Sequence, residues 1–291
     1  MKEFFILFPL IITVNHAFGL SINDLTVSNY HLKTGIPEAA RMMILEAKEM
    51  AMSGLDSIVG GQISDISKTP YQAGLVIQVL RLLTSVCGGS LISKNRVVTA
   101  AHCIDDGSVS AQSVTVVLGS NKIFAGGERI TSNGFVVHHN WNPKTLLNDI
   151  AIVFIPSVKY TDVIRPINLP PTSVLREQFV GWTAIASGYG RTSTGSKITQ
   201  DQRISSVNLK IITNSECKDT YKNISRKNIC TSGVDSEGTC NGDSGGPLAV
   251  TIDDKPILIG ITSFGAKAGC EVGYPAAYTR VTSFVSWINE I

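Results

Sequence analysis

From Ile58 onward the apolar positions fall in short β-branched runs broken by turn residues, at 74–80, 114–118, 135–138, 150–155, 184–187, 206–211, 247–252, 257–264 and 278–281. Runs of this length and spacing predict strands of a sandwich or barrel, and the lack of helical stretches between them excludes a parallel sheet with crossover helices. Within this part only 282–291 has helical spacing, with Phe284, Val285 and Ile288 able to share one face. Residues 20–57 have a different texture, with no alternation and no cysteine. There 37–50 predicts a helix, with Pro37 in the first turn, good helix formers after it, and Ser53-Gly54 as the stop.

The N-terminus changes the picture of where the chain resides. Lys2, the apolar run 4–12 and the small-residue stretch Ala17-Phe18-Gly19 have the layout of a secretory signal peptide, cut after Gly19 or Ala17. The run contains Pro9 and is too short to cross about 30 Å of hydrocarbon. The expected organisation is a signal peptide at 1–19, a propeptide at 20–57 and an all-β domain at 58–291, secreted and without a membrane partner. Lys and Arg number 25 against 23 Asp and Glu, a net charge of +2 that supplies no field for nucleic acid. Hydrophobic residues make up 43%, enough for a large core. The six cysteines all lie beyond Ile58, an even number suited to disulfides in an oxidising compartment.

Three segments carry candidate chemistry. Val97-Val98-Thr99-Ala100-Ala101-His102-Cys103 sets a histidine after an apolar strand, beside a cysteine that a disulfide can pin. Asn148-Asp149-Ile150-Ala151 puts a carboxylate at the head of another apolar strand, where burial would demand a partner. Gly242-Asp243-Ser244-Gly245-Gly246-Pro247 holds a serine among glycines whose bare backbone admits a close approach. Each alone reads equally as structure. A zinc reading is weak, because no Cys or His pair has ligand spacing and the adjacent His138 and His139 would point apart on a strand.

Taken together with Ile58-Val59-Gly60-Gly61 and Tyr278-Thr279-Arg280-Val281, these segments resemble the chymotrypsin-like, trypsin-fold serine endopeptidases over 58–291. The resemblance implies two antiparallel six-stranded β-barrels, at roughly 58–165 and 166–280, packed together with a C-terminal α-helix at 281–291. It implies Ser244 as nucleophile, His102 as general base, Asp149 as its orienting carboxylate, and the Gly242 and Ser244 amides as an oxyanion hole. It pairs Cys87 with Cys103, Cys217 with Cys230 and Cys240 with Cys270. The stretch Asn29-Tyr30-His31…Gly35-Ile36-Pro37 is similar to the leader of lepidopteran digestive chymotrypsins and brachyurin-type collagenases. That likeness implies digestion in a gut lumen, with protein substrates and protein protease inhibitors as partners of a monomer. No cofactor and no metal are expected; 121–133 offers only Glu128 towards calcium.

The same register puts Gly238 at the floor of the specificity pocket, with Ser263, Phe264, Gly265 and Ala276 as walls. A floor without a carboxylate favours cleavage after Phe, Tyr, Leu or Met, since a buried Lys or Arg would go unpaired. The Ala276 methyl narrows the slot, and Glu237 and Glu271 stand near its mouth. Relatives free an Ile amine that pairs with an internal Asp, here Ile58 and Asp243. The residues before Ile58 are Leu55-Asp56-Ser57, with no basic side chain, so two outcomes stay open. Either a protease of other specificity cuts after Ser57, or the chain is a latent homologue with a binding role. Broad collagenolytic or elastase-like cleavage is a further alternative. Asn223-Ile224-Ser225 is a glycosylation sequon.

Overall fold

The computed structural model describes residues 20–52, 65–191, 204–234, 239, 241–270 and 272–291. Residues 1–19, expected as a signal peptide, the junction at Ile58, and Glu237, Gly238, Cys240 and Glu271 lie outside the described residues. Among the described residues no helix is long and apolar enough to cross a membrane.

The structure is mostly β, in two barrel-like sheets closed off by a short C-terminal helix. The first holds β1 (Gln72–Val79), β2 (Leu83–Ser93), β3 (Arg96–Thr99), β4 (Ser113–Leu118), β5 (Glu128–Ser132), β6 (Phe135–Val137) and β7 (Ala151–Phe154), in the order β5-β4-β1-β2-β3-β7-β6. Seven strands stand where six were expected, because Asn133-Gly134 splits one run into β5 and β6. These two are the outer strands of the order, with that two-residue break between them in the chain. Alternation does the sorting: Leu75, Ile77 and Val79 of β1 are fully buried and share a core with Val97, Val116 and Ile152.

The second sheet is a closed barrel, β10-β13-β12-β11-β8-β9. Its strands are β8 (Thr183–Gly188), β9 (Ser205–Ile212), β10 (Asn228–Thr231), β11 (Pro247–Ile252), β12 (Lys255–Phe264) and β13 (Ala276–Arg280). Between β11 and β12 a two-residue loop places Asp253 and Asp254 at φ +48° and +58°, the left-handed pair that matches strand twist. Leu209, Ile229, Leu248, Ile259 and Tyr278 fill the interior. The chain end then crosses back: after a turn at Val281–Ser283, α3 (Val285–Glu290) buries Ile288 in the first core, and Arg96 donates to its carbonyl at 2.9 Å. "Helical spacing only at the end" needs a correction, since α2 (Asn214–Thr220) is also helical. It is too short and polar to show periodicity, and is held by a reciprocal Thr213–Glu216 cap.

The expected leader helix is present as α1 (Ile36–Met52), entered through a π-helical turn at His31–Gly35. Glu38, Ala39, Met42, Leu45 and Glu46 are its buried positions, three and four apart, and they face the β domain.

Candidate active site

Strand pairing brings the first two candidates together. β3 and β7 run antiparallel with Thr99 opposite Ala151. The chain leaving β3 therefore ends beside the chain entering β7, His102 in a 3-10 turn (Ala101–Cys103) and Asp149 two residues ahead of β7. His102 Nδ1 lies 2.8 Å from Asp149 Oδ2, and the His102 amide donates to Oδ1 at 2.9 Å. Both side chains are fully buried. Asp149 is held from behind as well, its carbonyl accepting from Thr279 Oγ1 at 2.7 Å. Asn148, at φ +60°, aims the loop and is tied to Asn140 and Lys227. The Cys87–Cys103 bridge pins the histidine turn to β2. A ring nitrogen of His102 lies within 4.8 Å of both sulfurs, but these are joined to each other and offer no thiolate to a metal.

With Nδ1 engaged by the carboxylate, Nε2 is the basic nitrogen of the ring. It is buried and has no hydrogen-bond partner among the described residues.

Ser244 comes from the other barrel, in the loop before β11. Three backbone bonds fix that loop: Gly245 N–H to Thr262 O, Gly246 N–H to Asp243 O, and Gly88 N–H of β2 to Ser244 O at 2.7 Å. The last one crosses between the barrels and sets the serine against the histidine turn. Gly245 has φ +81°, and a Cβ there would stand 2.2 Å from Thr99 Oγ1, so no other residue fits. Gly242 has φ +99°. Asp243 is buried and accepts the Gly190 N–H at 2.8 Å; its expected partner Ile58 is outside the described residues.

An open pocket adjoins Ser244. Ser263, Phe264, Gly265 and Ala276 line it, and no described lining residue is charged. Ser263 does more than form a wall: its buried hydroxyl donates to Asp149 Oδ2 at 2.6 Å, a role no motif announced. Cys217–Cys230 is formed, and Cys270 is disulfide-bonded, its expected partner Cys240 being undescribed. His138 and His139 do not point apart. β6 ends at Val137, so both have left the strand, and their rings stack with centroids 4.5 Å apart.

The leader reaches this site too. The Tyr30 ring stands edge-on to the His102 imidazole, centroids 4.8 Å apart, while its phenol meets the Ser244 side chain and donates to Val86 O at 2.8 Å. Burial raises the phenol above its usual range. His31 follows it into the interior, its Nδ1 2.9 Å from Ser85 Oγ. Burial pulls that imidazole down to about 4, against the nearby Asp106 carboxylate.

A family model described as trypsin matches residues 58–288. The chain belongs to the trypsin family. It is a serine-type endopeptidase, a hydrolase with disulfide bonds. This trypsin-family chain is 40% identical to a protein named collagenase from Hypoderma lineatum, over 80% of this chain and 86% of that one. It is 41% identical to a protein named brachyurin from Leptuca pugilator, over 80% and 97%. A solved structure of HL collagenase superposes with a TM-score of 0.71 at 38% identity, covering 80% of this chain and 97% of that one. The family match starts at Ile58, which leaves the leader outside it.

Proposed function

We propose that the chain, once cut ahead of Ile58, hydrolyses peptide bonds by acyl transfer through Ser244, with His102 as general base and Asp149 as its orienting carboxylate. The observation carrying this reading is the buried pair of His102 Nδ1 and Asp149 Oδ2, 2.8 Å apart and shared with Ser263. Ser244 is a weak nucleophile until its proton is taken as it attacks. His102 Nε2 accepts that proton, and Asp149 favours the imidazolium that forms. The same nitrogen then returns the proton to the leaving amine, and the cycle repeats with water. The Gly242 and Ser244 amides face the developing oxyanion, each worth roughly 2.7–4 kcal/mol to the transition state.

The described lining of the pocket carries no charge, which favours Phe, Tyr, Leu or Met at the cleaved position, with the Ala276 methyl narrowing the slot. Activation joins the Ile58 amine to Asp243 and orders the serine loop. The organisation is a signal peptide at 1–19, a propeptide at 20–57 and a peptidase domain at 58–291. The protein is secreted and digestive, and Asn223, partly exposed in the turn after α2, carries a glycan. Processed protein assayed on peptides ending in Phe, Leu, Ala and Arg tests this, with denatured collagen added because a similar sequence and a similar solved structure are named collagenase. Cleavage after Phe and Leu is expected. Preference for Arg would defeat the pocket reading, and inertness towards all of them would defeat the whole.

A further inference from the structure

We infer that residues 20–52 are a noncovalent inhibitor of the peptidase domain, occupying its substrate cleft and remaining bound after the bond ahead of Ile58 is cut. The inference rests on the peptidase reading above and adds to it a partner for the cleft.

The leader enters through an isolated bridge just past the end of β12. Leu25 bridges Ala266 in antiparallel fashion, the Thr26 N–H donates to Gly265 O at 3.0 Å, and the Gly265 N–H donates to Thr26 Oγ1 at 3.2 Å. Main-chain pairing at the end of a sheet strand is how a protein holds an extended peptide. Thr26 and Thr34 become part of the pocket wall. Leu25 and Val27 cover Leu146, Phe264 and Ala266.

A substrate would continue extended past the nucleophile, but the leader turns away. Ser28 N–H closes a turn onto Leu25 O, Asn29 takes φ +52°, and Tyr30 is already helical at φ −51° and ψ −51°. What reaches Ser244 is a phenol, which holds no bond that acyl transfer can break. That phenol lies beside the Ser244 side chain and donates to Val86 O, and its ring stands edge-on against the imidazole of His102.

Beyond the serine, α1 fastens the other side. Met42 and Ala39 pack with Val86, Ile123 and Tyr189. Glu46 accepts the Ile123 and Phe124 amides at 2.9 and 3.0 Å, Glu38 pairs with Arg191 at 2.6 Å, and Glu49 pairs with Lys122 at 2.7 Å. The leader contains no cysteine, so nothing covalent survives a cut after Ser57. These contacts run along its length on both sides of Ser244, and none of them depends on that bond.

The test uses the full chain with Ile-Glu-Gly-Arg in place of residues 54–57, so that a site-specific protease opens the bond ahead of Ile58. Hydrolysis of a small peptide ester is followed in the uncut chain, in the cut complex, after the leader is stripped on a sizing column in mild acid, and after it is added back. The cut complex is expected to run at least about 20-fold slower than the stripped domain, and re-addition to restore that inhibition in competition with substrate. Tyr30→Ala should release activity on cutting alone. Tyr30→Phe, which keeps the packing and loses only the phenol's contacts, should release part of it. A cut complex as active as the stripped domain, or a leader that leaves the column separately without changing the rate, overturns the inference while the peptidase reading stands. A stripped domain that is inert yet rebinds labelled leader in a Tyr30-dependent way upholds the docking and overturns the peptidase reading.

Discussion

Ser263 Oγ donates to Asp149 Oδ2 at 2.6 Å, the oxygen that also faces His102 Nδ1. One carboxylate oxygen thus joins the two barrels, since Ser263 belongs to β12 of the second and His102 to the first. A buried carboxylate needs every donor it can gather, and a hydrogen bond to a charged group is worth about 1.5–3 kcal/mol. Ser263→Ala is expected to lower kcat about 10-fold with a smaller change in KM, measured on a peptide ester after processing.

Asp149→Asn keeps the size of the side chain but removes the charge that selects the tautomer of His102. A fall in kcat on the order of 10⁴-fold is expected, with the fold intact by circular dichroism. A loss of less than about 10-fold would mean that His102 does not act as the base.

Gly242 sits at φ +99°, and a Cβ there would lie 3.0 Å from Gly190 Cα. Gly242→Ala should therefore shift its own amide and that of Ser244. A loss of about 100-fold in kcat with KM nearly unchanged is the expected signature of a damaged oxyanion site. Thermal unfolding of the same variant separates this from simple misfolding.

Removing the bridge beside the histidine by replacing Cys87 and Cys103 with Ala together tests how the site is held. The bridge closes a separation of 16 residues, for which about 3 kcal/mol of stability is expected. Urea unfolding of the processed domain reads that loss, and kcat should fall with it, because the turn carrying His102 loses its anchor to β2.

The grip of the leader depends on pH through His31. Burial lowers its imidazole to about 4 in the docked state, against 6.5 for the ordinary group; Asp106 and Asp105 favour the charged ring, His102 opposes it, and Ser85 and Tyr30 are neutral neighbours. The free leader therefore binds more protons between those two values. Docking is at full strength above about 6.5 and weakens as pH falls towards 4, by on the order of 100-fold. Sizing chromatography of the cut complex across that range measures this without relying on activity, and His31→Gln should flatten the dependence.

All nine strand runs read from the pattern exist, because each alternates or buries enough β-branched residues to declare itself. β2, β5 and β10 did not. β2 carries Cys87-Gly88-Gly89-Ser90, a turn-like composition that burial between β1 and β3 overrides. β5 is polar and largely exposed, and β10 is four residues long with an asparagine and a cysteine. The meeting of His102 with Asp149 was legible only through motif likeness, since it follows from Thr99 pairing with Ala151, a register no local pattern records. Ser263 and Tyr30 illustrate the same limit. One was read only as a pocket wall and the other only as part of a leader, and tertiary contact alone sets Ser263 on Asp149 and Tyr30 against His102.

The claim on which the account turns is that Ser244 is the nucleophile, and covalent trapping measures that directly. Processed, leader-free protein treated with a serine-directed phosphonate, then digested and read by mass spectrometry, should carry one adduct on Ser244 as its esterase activity disappears in proportion. Activity that survives complete treatment, or an adduct on any other residue, would contradict it.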